Sequence, residues 1–370
     1  MGLCSPGFVE VANTLGGIDC ATAPAVVSVR DPFALTNWTL PVVESLMILG
    51  AIASLVHAVA WWRRRGDPTN LGVWLASVVY VLVLEPPLYF PDRFGLQDQV
   101  GLIFVHNLFS VQFLYDRLPL YILALYPALT YLVYTLVRRT GVLDRRGALV
   151  GAACVAFVFH SFYEIFDQIG PQLLWWAWNP DAPSNTPWLR SVPLTSAVTF
   201  AGAAPFGIAL LTRLLLARRA ARGPMPVASF VLRTVAVGAL TPLAMVLFSA
   251  PYGLLPGHVT GQAVVLWLEI GLIAAVAVTA FWQVAREGHR PDVTTLDRYP
   301  VLAGSVYLLV FAVLWVTAFP AYLVASGGRT ASGAPVGSLG YALVCAVACL
   351  GVLTLAATRS QTRSPALSPA

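Results

Sequence analysis

Apolar residues fall along this chain in long unbroken runs, not in the short alternations of a soluble fold. The runs cover about residues 40–62, 69–90, 119–137, 147–167, 191–216, 227–250, 261–285, 300–325 and 337–357. Each is long enough, at about 1.5 Å per helical residue, to cross a hydrocarbon core of roughly 30 Å. The pattern predicts an all-α, polytopic integral membrane bundle of about nine transmembrane helices. A further stretch, 100–115, is shorter and carries His106, Asn107 and Gln112. If it crossed on its own, every later arginine cluster would change sides. It is therefore expected as a re-entrant or interfacial helix on the outer side, tolerated at that depth only where protein or water covers it.

The loops set the orientation. Arg63–Arg65, Arg138, Arg139, Arg145, Arg146, Arg218, Arg219, Arg222, Arg286, Arg290, Arg298, Arg359 and Arg363 fall on one side, fifteen against five for Arg30, Arg93, Arg117, Arg190 and Arg329. The positive-inside rule then puts the N-terminus outside a cell membrane and the C-terminus in the cytoplasm. Three regions are expected: an outer N-terminal arm (1–36), a transmembrane domain (37–357) and a disordered cytoplasmic tail (358–370). Gly/Ser-rich residues 326–338 read as a flexible outer loop.

Composition agrees. The chain is 58% hydrophobic and 11% charged, against about 25% charged in a soluble domain. The net charge of +5 comes from loop arginines, so the expected partner is the lipid bilayer and not nucleic acid. No residue is lysine, a coding bias that suggests a bacterial source. Residues 1–36 lack the basic-then-apolar order of a secretory leader, and Pro6 breaks the myristoylation pattern that begins Met1-Gly2. Cys4 and Cys20 lie in the arm, where a disulfide is permitted. Cys154, Cys345 and Cys349 lie in apolar runs, and no spacing suggests zinc.

Two stretches share an order of features. Residues 69–137 run from a helix ending at Glu85, through an aromatic excursion, to Arg117-Leu118-Pro119-Leu120. Residues 147–216 run from a helix ending at Glu164 and Asp167, through another, to Arg190-Ser191-Val192-Pro193-Leu194. These would be parallel repeats with their acids on the outer side, although proline and arginine are common at helix starts in any case.

The densest chemistry is Phe159–Asp167 followed by Trp175-Trp176-Ala177-Trp178. His160, Glu164 and Asp167 are spaced i, i+4, i+7 and share a helical face. A carboxyl among apolar side chains holds its proton more readily than one in water, and so can serve as a general acid. The bland alternative is that residues near a helix end meet interfacial water. Metal ligation is the weaker functional reading, since one face offers three ligands at most. Glu85 is either a partner acid or a polar helix terminus. Glu269, about 12 Å into its span, is either functional or a structural hydrogen-bonding group. Glu44 reads as a helix N-terminal cap. His106 is a candidate polar group of a pocket. Trp175, Trp176, Trp178 and Trp188 read as an interfacial belt, a cation-stabilising lining, or both.

Walker A, GxSxG, HExxH and DDxxD-type patterns are absent, which argues against an ATPase, a serine hydrolase, a zinc protease and a prenyl-diphosphate transferase. The order Glu85, Leu118-Pro119-Leu120-Tyr121-Ile122, Gly147-Ala148-Leu149-Val150-Gly151, Glu164/Asp167, Trp176-Ala177-Trp178 and Val192-Pro193-Leu194 resembles the carotenoid-biosynthesis membrane family of bisanhydrobacterioruberin hydratase and carotenoid 1,2-hydratases. The likeness covers about residues 80–215. It departs at Leu118, where a valine is expected, at His160 and Tyr163-Glu164, where an Asp-centred motif is expected, and in its extra spans. His160-x-x-x-Glu164 also resembles the His/Glu pair of the emopamil-binding sterol isomerases.

Both likenesses imply a membrane enzyme, possessing no cofactor or metal, that protonates a double bond of an isoprenoid such as a carotenoid or terpenoid. Glu164 or Asp167 would donate the proton, His160 would relay it, and Glu85 would activate water or take the proton back. Trp176 and Trp178 would stabilise the cation, and His106 and Glu269 would contact the substrate. The rivals are a proton-coupled transporter and a non-catalytic membrane scaffold.

Overall fold

The computed structural model describes residues 4–19, 21–287 and 295–358. In chain order its elements are α1 (Pro6–Asn13), β1 (Val27–Val29), α2 (Thr39–Arg65), α3 (Thr69–Tyr89), β2 (Phe104–His106), β3 (Val111–Phe113), β4 (Leu118–Pro119), α4 (Leu120–Thr140), α5 (Val142–Arg145), α6 (Gly147–Asp167), β5 (Trp176–Trp178), β6 (Trp188–Leu189), β7 (Val192–Pro193), α7 (Leu194–Ala220), α8 (Val227–Gly253), α9 (Val259–Arg286), α10 (Tyr299–Leu323) and α11 (Leu339–Thr358). Among the described residues, nine helices are long and apolar enough to cross a membrane: α2, α3, α4, α6 and α7 to α11. They coincide with the nine apolar runs. The protein is an all-α, multi-pass membrane protein.

Local chemistry ends the helices where the runs end. α2 closes on Arg63, Arg64 and Arg65 and then Gly66 at φ 67°; α4 closes on Arg138 and Arg139 and then Gly141 at φ 83°. Cations suit the negative end of a helix, and glycine takes the left-handed C-terminal turn without a Cβ clash. Packing then sorts the helices. In α4 and α6, 89% and 83% of the apolar window is buried, against 22% in α9 and 28% in α8 and α10. α4 and α6 are therefore the centre of the bundle, and their polar residues face protein. α8 approaches α3 closely at Gly238, where a Cβ would stand 2.5 Å from the Ala76 carbonyl oxygen.

One end of the bundle is covered by short strands. β2 pairs antiparallel with β5, in the register Phe104–Trp178, Val105–Ala177 and His106–Trp176. β3 lies between β1 and β4, and β6 and β7 form a hairpin. α1 lies over this layer, packing Phe8, Val11, Ala12 and Leu15 on Leu102 and Val105.

Residues 100–115 are thus not the expected helix. Their backbone is extended and finds its partners across the chain. Asn107 N donates to the Trp175 carbonyl at 2.9 Å and Asn179 N to that of Ile103 at 2.8 Å. Three asparagine side-chain amides add to this: Asn107 donates to the Leu174 carbonyl, Asn179 to that of Leu102, and Asn185 to that of Ile103, which thus accepts twice. Glu44 is also not a cap of its own helix. Its two carboxylate oxygens accept from Ser110 N at 3.1 Å and Val111 N at 3.2 Å, holding the turn into β3. Residues 326–338 form a built turn, with Arg329 bridged to Ser326 and Pro335 and glycines 327, 328 and 333 at positive φ. Cys4 is disulfide-bonded; its expected partner Cys20 lies outside the described residues, as does the expected tail beyond Thr358.

Glu44→Ala removes the acceptor of two part-buried N–H groups, a loss of about 0.5–1.5 kcal/mol per hydrogen bond. Its thermal unfolding midpoint in detergent should fall by several degrees, while Glu44→Gln, which keeps one acceptor, should fall less. Equal midpoints for all three proteins would show that the turn does not depend on this carboxylate.

Candidate functional site

Where the strand layer meets the bundle centre, a small cavity is lined by Glu85, His106, Asp167, Trp176 and Trp178 together with Phe104, Tyr121, Ile122, Tyr126, Tyr163, Phe166 and Phe200. Its room for water-sized occupants is only about 30 Å³, so in this state it suits a few small groups and not a whole lipid.

Each side chain arrives for a local reason. Glu85 lies in the last turn of α3, which does not stop at Pro86 and Pro87 as expected but runs through them to Tyr89, with Phe90 as its C-cap. Its carboxyl sits beside the Tyr89 and Tyr126 phenols. Asp167 is the last residue of α6. Its Oδ2 accepts from the Ser196 hydroxyl at 3.2 Å. His106 is carried in by β2, its Nδ1 3.1 Å from the Tyr121 hydroxyl. The ladder sets Trp176 directly opposite His106, at 6.2 Å between ring centres. Gly170 makes room for Trp176, since a Cβ there would overlap the indole. Phe200 comes from a π-helical turn of α7, Thr199–Ala203. Such widened turns often occur at functional sites.

The polar atoms are the unusual part. Glu85 Oε2, Asp167 Oδ1, His106 Nε2, Trp176 Nε1 and Trp178 Nε1 are buried without a hydrogen-bond partner. Buried polar atoms are ordinarily paired, because leaving one bare costs about 1–3 kcal/mol. Five such atoms gathered around one small space make it the candidate for a site that takes a polar occupant or moves a proton. The remaining walls are aromatic rings: Trp176 packs at 4.9 Å on Phe166, and Trp178 edge-on at 5.5 Å on Phe104.

The predicted face of α6 is divided among its neighbours. Asp167 lines the cavity; Glu164, one turn back, does not. Glu164 is fully buried, accepts from Gln168 Nε2 at 3.0 Å and leaves Oε1 bare. His160 is committed to packing, with Nδ1 3.0 Å from the Ala197 carbonyl and Nε2 2.6 Å from the Tyr341 hydroxyl of α11. Glu269 lies elsewhere, in a groove with Phe206, Phe248 and Ile273. Trp175 is not a belt residue: fully buried, it donates to Thr39 Oγ1 at 2.8 Å. Among the described residues no group of three His, Cys, Asp or Glu is disposed to hold a metal. The sequence reading passed over Tyr121, Tyr126 and Tyr163. Tyr163 lies four residues before Asp167, on its face of α6, and that was the available signal.

One family profile, described as a domain of unknown function, matches residues 27–335. The chain belongs to the DUF7802 family. The family region contains every residue that lines the cavity, while α1 and α11 lie outside it. No curated protein and no solved structure matches the chain.

Burial pushes the His106 imidazole from its usual 6.5 down to about 3. Between those values the unfolded chain binds a proton that the folded chain does not, so stability rises with pH there and is lost as pH falls from 6.5 towards 3. The midpoint of His106→Gln should therefore fall less than that of the parent between pH 6.5 and pH 4. Parallel curves for the two proteins would remove His106 from the acid transition.

Proposed function

We propose that the protein is a cofactor-independent membrane enzyme that protonates a double bond of an isoprenoid lipid, then hydrates, cyclises or isomerises the product. The observation that carries this reading is the pair of carboxyls, Glu85 and Asp167, brought from two helices into one aromatic cavity with their outer oxygens bare. The resemblance of residues 80–215 to the carotenoid hydratases points the same way.

In this reading Asp167 gives its proton to one alkene carbon, forming a C–H bond and leaving a cation on the other. The faces of Trp176, Tyr121 and Tyr163 favour that cation through their ring quadrupoles. In hydration, water adds to the cation and Glu85 takes the released proton; in isomerisation, Glu85 takes a proton from the neighbouring carbon. The cycle closes when Glu85 passes that proton back to Asp167 across the cavity they both line. His160 positions α6 and does not touch the reacting atoms. On the arginine distribution the strand-covered end is the outer one, so the reacting end of the substrate enters from the outer leaflet.

A proton-coupled carrier is the second reading, favoured by the prolines inside α3, α4, α8 and α10. Glu269 lies away from the two cavity acids, which weakens any single proton path through all three. Lipid extracts decide between the readings. Asp167→Asn and Glu85→Gln should each lower the isoprenoid product by about 10²–10⁴-fold at unchanged expression, and Glu269→Gln should leave it unchanged. An isoprenoid profile identical in the deletion strain and the parent would sink the enzyme, and pH-driven flux in proteoliposomes that is lost in Asp167→Asn would establish the carrier.

A further inference from the structure

A second, larger space lies on the other side of Trp176 and Trp178. This cleft, about 690 Å³, is walled by α1, by β5, by the β6–β7 hairpin and by the turn at 326–335. Its size is that of a small-molecule site. Three indoles line it, from Trp176, Trp178 and Trp188.

Four charged side chains also line it, Arg190 and Arg329 against Glu10 and Asp181, so the cleft has donors, acceptors and no net charge. All four are exposed. The ion pairs among the described residues lie elsewhere: Arg30–Asp116, Arg138–Asp67, Glu287 with Arg145 and Arg146, and Arg213–Asp144. Glu10, Asp181 and Arg190 take part in none of these pairs, and Arg329 gives one N–H to the Gly333 carbonyl at 2.8 Å, so carboxylate and guanidinium groups both remain open to a ligand. Arg190 is held at φ 58° in the two-residue turn between β6 and β7. A side chain held in that region is strained, and such residues cluster at ligand clamps.

We propose that this cleft binds an uncharged, polyhydroxylated ring, a sugar or a cyclitol. The C–H faces of such a ring pack on indole planes, and its hydroxyls both give and accept hydrogen bonds. Carboxylates and guanidinium groups around aromatic walls match both needs. A strongly anionic ligand would meet Glu10 and Asp181, and a cationic one would meet the two arginines. The ring comes either as a free saccharide or as the headgroup of a lipid in the adjoining leaflet. The site does not rest on the double-bond chemistry, and it stands or falls by binding alone.

The test uses the full-length protein in nanodiscs and saturation-transfer NMR, with glucose, galactose, N-acetylglucosamine and myo-inositol as free probes. At least one should receive saturation on its ring C–H protons. Binding should weaken about tenfold or more in Trp188→Ala and in Asp181→Asn, and survive in Trp188→Phe, which keeps an aromatic face. Nanodiscs containing monogalactosyldiacylglycerol should displace the free probe if the natural ring is lipid-borne, and leave it bound if the ring is free. Absence of transfer to all four probes, transfer that Trp188→Ala leaves intact, or displacement by phosphatidylglycerol in place of the glycolipid would each overturn the proposal.

Discussion

Backbone that leaves a helix within an apolar bundle must find new partners for its N–H and C=O groups, and this requirement organises the strand-covered end of the protein. The chain leaves α3 one turn after Glu85 and leaves α6 just after Asp167. Both excursions therefore begin beside an acid, and each supplies the partners the other lacks, through the β2–β5 ladder and the asparagine amides around it. Bringing the excursions together also brings His106 and Trp176 over the two carboxyls. The cavity is thus a by-product of satisfying the backbone: its roof is a ladder, and its floor is two helix ends.

The centrality of α4 and α6 explains how the chemistry is shared out. A helix surrounded on all sides gives each neighbour a strip of its surface. On α6 the strip with His160 goes to α7 and α11, and Asp167 goes to the cavity. Residues on one face by spacing can therefore have different tasks, because a face about 60° wide is broad enough to meet two partners.

The nine spans were legible because bilayer thickness imposes a length and an apolarity that few other structures imitate. Glu85, Asp167, Trp176 and Trp178 were legible as chemistry, since polar and indole groups stand out in so apolar a chain. The strands at 104–106 and 111–113 were not. Phe104, Val105 and His106 are all buried, so the alternation that marks a half-exposed strand is missing, and a short apolar run reads equally well as helix. Glu44 misled for a related reason: its place near the start of an apolar run suits a cap, while α2 begins earlier, at Thr39, and the partners Glu44 takes lie 66 and 67 residues away. Nothing local in the chain encodes that choice.

Trp176 and Trp178 belong to two spaces at once. One indole wall between two chambers works as a shared partition: a displacement that enlarges one side narrows the other. By linkage, any occupant that prefers one position of the partition changes the affinity on the far side, and the reverse effect has the same size. Communication between the face of the protein and its buried acids then needs no hinge and no moving domain, only the tilt of two rings held on a three-residue strand.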